Sequence, residues 1–335
     1  MVHGGASEAE VRSPRERNHG QETRSGDAPA SQDAGRRVHP AGVRPCPGLA
    51  RRGAVGYACG VDNAPGTILV RAADRPPLLA VGELWHYRDF LFFLARQRFV
   101  ARYKQTVLGA AWAVANPLVT MVVFTLLLGR MAGISSEGFP YPVYAYLGII
   151  MWQLFASCLS RASASVVGGK HLYAQVYFPR VILPLASAVV ALVDYLIALL
   201  ALGVLMIVYE VMPAPGALFL IILLPVTLLF ALGIGLGLGA LNVFRRDISF
   251  LVPYVLQIGL FATPALYPAD AVPGAWRWLY GLNPASGLVQ AHRALVLGLP
   301  VDHGLLGLSI ASGLVLAFAG VLIFSKLQRK FVDHA

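Results

Sequence analysis

Charge is scarce in this chain. Only 13% of its 335 residues are Asp, Glu, Lys or Arg, where a soluble domain carries roughly 25%. That shortage excludes an ordinary water-exposed surface. A mean hydropathy of +0.64 and 57% hydrophobic residues point to a membrane protein instead. Cysteine is nearly absent too. Cys46, Cys59 and Cys158 lie far apart and form neither a disulfide framework nor a zinc pattern. The five histidines after residue 80 lack metal-ligand spacing. No nucleotide site is present: "GGKH" at 168–171 is the nearest approach to a phosphate-binding loop. Such a loop needs Gly six residues before its Lys and Ser or Thr after it, and the positions around Lys170 hold Ala164 and His171. With no catalytic constellation, the polypeptide is not expected to be an enzyme by itself. The net charge of +10 does not indicate nucleic acid, because the cations sit in short clusters between apolar runs.

Two regions differ in character. Residues 1–80 hold 11 Arg, 8 Asp or Glu, 8 Pro, 11 Gly and no Lys. Such a stretch cannot bury enough apolar surface to fold, and it lacks the apolar core of a signal peptide. It reads either as a disordered tail or as upstream translation that the native start does not use. No Met occurs between Met1 and Met121, so the second reading requires a non-ATG start. Residues 81–335 read as a transmembrane domain. At its start, Leu84, Tyr87, Leu91 and Leu94 recur at helical spacing while Arg88, Arg96, Arg102 and Lys104 fall elsewhere. This predicts an amphipathic helix in the membrane interface; the alternative is an extended cytosolic start of the first span.

Six spans of about the ~20 residues a bilayer requires follow, at 108–130, 143–163, 181–208, 217–241, 248–267 and 304–324. Cations cluster in alternate connections: Arg102 and Lys104, then Lys170 and Arg180, then Arg245 and Arg246, then Lys326, Arg329 and Lys330. The connections 131–142 and 209–216 have none. The positive-inside rule then places both termini in the cytoplasm. Residues 268–303 carry apolar stretches too short to span, broken by Pro273, Pro284 and Pro300. They predict one or two short helices re-entering the outer leaflet, or else an outer loop with belt aromatics Trp276, Trp278 and Tyr280. The predicted class is therefore an all-α membrane protein of six transmembrane helices, with an N-terminal interface helix and short re-entrant helices between spans five and six.

Within the spans, Asp194 is an expensive group in lipid and a functional candidate by default. It is either an ion or proton site or a carboxylate paired within the bundle. Arg161 and Glu210 lie near span ends and can reach water. Gly233, Gly235, Gly237 and Gly239 form a small-residue stripe suited to close helix packing. Trp112, Tyr146, Trp152, Phe155, Phe261 and Tyr267 could line a glycan path, since rings stack on the apolar faces of sugars; each also suits core or belt filling.

Four stretches carry a family resemblance. "RYKQTVLGAAWAVANPL" (102–118), "KHLYAQVYFPRVILPLA" (170–186), "LNVFRRDISFLVPYVLQIGLFATPALYP" (241–268) and "LYGLNPASGLVQAHRALVLG" (279–298) resemble, in order and spacing, ABC-2-type permeases that export bacterial polysaccharides such as O-antigen, capsule and teichoic acid. The resemblance covers about 83–335; "AHRALVLG" departs from the Phe-Arg expected near His292 and Arg293. It implies a half-transporter in the bacterial cytoplasmic (inner) membrane. Two copies would form the pathway, and a separate ABC ATPase dimer would bring ATP and Mg, leaving no cofactor on this chain. The substrate would be a lipid-linked glycan. It implies a coupling helix within 164–180, with Lys170, Tyr177, Phe178, Pro179 and Arg180 nearest the ATPase. Arg98, Arg102 and Lys104 would sit at the cytosolic gate and steer the substrate's phosphate, although positive-inside orientation alone also accounts for them. Pro117 removes few backbone bonds near a span start, and Asn116 is expected to cap the interrupted turn. The nearest rival is an ABC-2 permease exporting a drug or hydrophobic metabolite. A more distant one is a proton-coupled secondary transporter using Asp194.

Overall fold

The computed structural model describes residues 85–104, 106, 109–169, 178–271 and 276–328. Every regular element among the described residues is helical. In chain order these are α1 (Arg88–Tyr103), α2 (Trp112–Phe124, continued as a π-helical stretch over Thr125–Met131), α3 (Tyr141–Gly168), α4 (Ile182–Val208) and α5 (Leu220–Phe244, preceded by a 3-10 stretch over Pro215–Phe219). They are followed by α6 (Ile248–Ala262), α7 (Arg277–Leu282), α8 (Pro284–Leu297) and α9 (His303–Leu327). Five stretches are long and apolar enough to cross a membrane: Trp112–Met131, Tyr141–Gly168, Ile182–Val208, Pro215–Phe244 and His303–Leu327. The shortest has 20 residues, about 30 Å at 1.5 Å per residue.

The expected span over 248–267 takes a different form. Helix α6 has only 15 residues, about 22 Å, short of a bilayer core. It stops because Thr263 turns extended (φ −111°, ψ 140°) ahead of Pro264, which disfavours the α conformation in the residue before it. The turn that follows is packed inward, with Thr263, Ala265 and Leu266 buried. The start of α2 also departs from expectation. Asn116 does not cap an interrupted turn. The helix begins at Trp112 with Ala111 at its N-cap and runs through Pro117. A proline in the second turn deletes a single backbone bond and the helix continues past it; the Asn116 carbonyl also accepts from Thr120 Oγ1 at 2.9 Å.

Helix α3 is the hub, with 78% of its apolar stretch buried. It packs against α4, α5, α8 and α2. Lipid tails are as apolar as side chains, so close approach and hydrogen bonds carry helix association there rather than the hydrophobic effect. The glycine stripe of α5 supplies that approach on two sides. A Cβ at Gly233 or Gly237 would lie 2.6 Å from Ala317 Cβ or 2.5 Å from Gly320 Cα, both on α9. A Cβ at Gly235 or Gly239 would lie 2.8 Å from Ala162 Cβ or 2.7 Å from Val166 Cγ2, both on α3. The stripe thus seats α5 between its two main neighbours.

The segment predicted as one or two short helices contains two. Helix α8 is capped by Asn283, whose Oδ1 accepts from Ala285 N at 3.1 Å and whose Nδ2 donates to Thr263 Oγ1 at 2.8 Å. Pro284 stands at its first position and Gly298 ends it at φ +74°, the usual asymmetry of helix ends. Nearly the whole of α8 is buried among α9, α3 and α5.

One end of the bundle gathers the C-terminal turns of α3, α5 and α9, where Val166, Leu236, Ala240 and Phe324 cluster. Helix α1 lies at the same end, its Leu94 and Ala95 packed on Ile182, Leu183, Ala186 and Val190 of α4. The opposite end holds α8 and the starts of α3 and α5, tied by Tyr141 Oη donating to Leu266 O at 2.8 Å and Ala214 N donating to Val296 O at 2.8 Å.

Candidate functional site

Helical spacing brings a cluster of charged groups together where α1, α3 and α4 meet. Arg98 and Arg102 stand four apart on α1; Ser187, Val190 and Asp194 recur at intervals of three and four on α4. Each set therefore lies along one helix face. Arg161 enters from α3. Asp194 Oδ2 accepts from Arg161 Nη2 at 2.6 Å and from Arg102 Nη1 at 2.9 Å, and Asp194 Oδ1 accepts from Tyr103 Oη at 2.8 Å. These are charge-assisted bonds, stronger than neutral ones. Arg98 Nη1 donates to Leu183 O at 2.9 Å and to the Ser187 hydroxyl. Burial first, and then Asp194 as acceptor, push the Tyr103 phenol up to about 12, so it remains a donor at physiological pH.

Beside this network lies an open pocket of about 320 Å³, lined by Arg98, Arg102 and Arg161 with Ser165 and Ser187. Its described lining residues include three guanidinium groups and no carboxylate, and Asp194 lines the smaller pocket next to it. A smaller pocket of about 60 Å³ adjoins it, sharing Arg102 and Arg161, and adds Trp112, Asn116, Gln153 and Ser157. An arginine-rich, half-open pocket of this kind suits a phosphate or another multiply charged anion, because the planar guanidinium fork matches its oxygens. Of the two readings of Asp194, the structure places the paired one.

The expected gate residues divide. Arg98 and Arg102 line the large pocket, whereas Lys104 is exposed and lines neither. Sequence reasoning missed Arg161, treated as a cation free to reach water, together with Tyr103 and Ser187. The spans as read gave little signal, because Arg161 falls two residues from the end of 143–163 and Asp194 thirteen residues past the start of 181–208. Of the coupling residues, Lys170 and Tyr177 lie outside the described residues. Phe178 is buried with its ring 5.3 Å from Phe90 of α1, and Arg180 donates to the Gln328 carbonyl just past α9. Among the proposed glycan-lining aromatics, Tyr146, Trp152 and Phe155 are buried in the core of α3. Tyr146 Oη donates to Ala198 O at 3.1 Å, and Trp152 fills the space over Gly259. Trp112 and Phe261 are exposed, and Tyr267 Oη donates to Phe261 O at 2.8 Å.

A second polar centre lies at the opposite end. Arg293 is fully buried, its guanidinium 3.7 Å from the Tyr144 ring centroid. It donates to Ala265 O at 2.7 Å, Tyr144 O at 3.2 Å and Tyr267 O at 3.5 Å. Gly148 admits this arrangement: a Cβ there would stand 2.0 Å from Ala265 O.

Five membrane-length apolar helices among the described residues define a multi-pass membrane protein, and comparison with known families makes the class specific. The ABC-2 type transporter family matches residues 90–297, and the chain belongs to that family. It is 25% identical over 252 residues to an O-antigen export system permease protein RfbA of Klebsiella pneumoniae, covering 75% of this chain and 96% of the relative. It is 28% identical over 257 residues to the O-antigen export system permease protein RfbA of Myxococcus xanthus, covering 76% of this chain and 98% of the relative.

Proposed function

We propose that the chain is the membrane permease subunit of an ABC exporter that moves a lipid-linked, O-antigen-type polysaccharide across the bacterial cytoplasmic membrane. The observation that carries this reading is the convergence of Arg98, Arg102 and Arg161 on one open pocket at the basic end of a permease-family bundle. The names of the two relatives supply the polysaccharide. ATP and Mg belong to a separate ATPase dimer, and two copies of this chain form the path. Helix α2, the least buried of the five spans, and the exposed apolar face of α6 at Phe250, Tyr254 and Phe261 leave room for a second copy.

In this reading α6 and its inward turn complete a sixth crossing, and α7 and α8 re-enter from the outer side. Both termini are cytoplasmic. Helix α1 lies in the inner interface with Phe92 and Phe93 exposed toward lipid. The segment 164–180 docks on the ATPase. ATP-driven closure there reaches α1 through Phe178 and Phe90 and reaches the end of α9 through Arg180. Arg98 and Arg102, with Lys104 beyond them, draw the substrate's phosphate to the pocket mouth, and Trp112 stands where the first sugars would pass. The energy of transport comes from differential contacts in two states of the dimer.

Deletion of the gene tests the proposal. Surface polysaccharide should vanish while lipid-linked glycan accumulates on the inner face. Both pools unchanged would refute glycan export and turn attention to drugs and hydrophobic metabolites.

A further inference from the structure

We infer that Asp194 is an internal counter-ion that occupies the arginine pocket's donors and must be displaced when a phosphate or pyrophosphate group binds. The exchange frees Arg102, at the end of α1, from Asp194 of α4. The inference deepens the exporter reading and rests on it for the natural source of the anion. Three observations carry it. The large pocket presents Arg98, Arg102 and Arg161 with no carboxylate among its described lining residues, Asp194 lying in the smaller pocket that shares Arg102 and Arg161. Arg161 Nη1 is buried with no hydrogen-bond partner among the described residues, while its Nη2 is held by Asp194; a buried unmet donor is costly and favours a ligand oxygen. Finally, Asp194 is the joint that ties α1 to the bundle here. Both Arg102 and Tyr103, the last residues of α1, bond to it, and it stands on α4 with Arg161 opposite on α3.

An incoming phosphate offers more oxygens and more charge than one carboxylate, and the guanidinium fork of each arginine can pair with it bidentately. Once it takes Arg102 and Arg161, Asp194 loses two of its three partners, and the last turn of α1 keeps the Tyr103 bond to it while Arg98, one turn earlier, holds Leu183 O and Ser187. Helix α1 also carries Phe90 against Phe178. Occupancy of the pocket would therefore reach the residues that adjoin the coupling segment along one rigid helix. The charge change is local and the biased element is named, as a switch requires.

The test uses full-length protein in nanodiscs of phosphatidylcholine, titrated with inorganic pyrophosphate and followed by thermal unfolding and direct binding. Wild type should bind saturably, and Arg161→Gln should weaken binding at least about tenfold. Asp194→Asn should bind about tenfold more tightly, because the competitor has lost its charge. Tyr103→Phe, which removes one tether of Asp194 and no charge, should bind about threefold more tightly; it decides the matter if Asp194→Asn does not fold. A purely structural Asp194 predicts unchanged or weaker binding in both, and that result overturns the inference, as does full affinity in Arg161→Gln. Discs containing phosphatidylglycerol, and discs carrying a polyprenyl pyrophosphate, separate the sources. Competition with pyrophosphate in the first assigns the site to lipid headgroups; competition only in the second assigns it to the carrier. Tight, Asp194-sensitive binding alongside an unchanged glycan phenotype in the deletion strain would sink the exporter reading and leave the site standing. Glycan accumulation with no Asp194 effect would do the reverse.

Discussion

Arg293 is a fully buried cation with three backbone carbonyls and one aromatic face as its described partners. It joins α8 to α3 and to the turn after α6, the three pieces that fold back on one another at the end opposite the arginine pocket. Truncation removes the donors and leaves the Ala265 and Tyr144 carbonyls buried with less than their complement of bonds, at about 1–3 kcal/mol for each unmet group. Arg293→Ala should therefore lower stability by about 3 kcal/mol or more and reduce the amount of folded permease in the membrane. Arg293→Lys keeps the charge and loses the fork, so it should fall between the two. Thermal unfolding of purified protein checks both, and a Lys variant as stable as wild type would assign the role to charge or volume rather than to the fork. Lys104, exposed and outside both pockets, acts from farther off, so Lys104→Gln should lower export less than Arg102→Gln does.

At the level of elements the glycine stripe makes the sharpest prediction. Gly237→Val places a side chain 2.5 Å from the Gly320 backbone, where no rotamer change can relieve the contact, so α5 and α9 must separate. Overpacking of this kind costs about 1–3 kcal/mol or more. Gly203 of α4 has nothing within 4 Å of its Cβ position, and Gly203→Ala should be neutral or mildly stabilising. Unfolding temperatures of the two variants compared with wild type check the contrast. Such elements were legible in the sequence where period and hydrophobicity decide the outcome, as for the four longest spans, the α1 face at Leu91 and Leu94, and the stripe itself. The segment 268–303 was legible only as one or two short helices or an outer loop, broken at Pro273, Pro284 and Pro300, and the Asn283 cap of α8 was not read from it. The early end of α6 was harder to read, because its apolar run continues through Thr263 to Tyr267 and only the residue before Pro264 marks the break. The arginine pocket was half legible. Arg98 and Arg102 announce themselves as i,i+4 cations, but joining them to Arg161 and Asp194 takes tertiary contacts across 33 and 92 positions, and no local pattern encodes those. Tyr146, Trp152 and Phe155 make the converse point: aromatic type alone does not separate a path lining from a core, and packing places all three in the core.

Among the described residues the charges sort by end. Arg88, Arg96, Arg98, Arg102, Lys104, Arg161, Arg180, Arg245, Arg246 and Lys326 belong to the end where α3, α5 and α9 finish, with Asp89, Asp194 and Asp247 among them; Glu137, Glu210, Asp270 and Asp302 belong to the other, with Arg130, Arg277 and Arg293 among them. The transmembrane field and anionic cytoplasmic lipids both favour holding the cation-rich end inside, and a cytosolic substrate needs the arginine pocket on that side. Two exposed positions report the orientation directly. Met212 lies in the turn between α4 and the 3-10 stretch leading to α5, at the acidic end, and Ser249 lies at the start of α6 beside Arg245 and Arg246. In a background with Cys46, Cys59 and Cys158 replaced, Met212→Cys should react with a membrane-impermeant maleimide in intact spheroplasts. Ser249→Cys should react only after permeabilisation. The reverse pattern would turn the pocket outward, where no lipid-linked precursor waits and no ATPase docks, and it would overturn the assignment of Arg98, Arg102 and Arg161 to substrate capture even if pyrophosphate bound them in vitro.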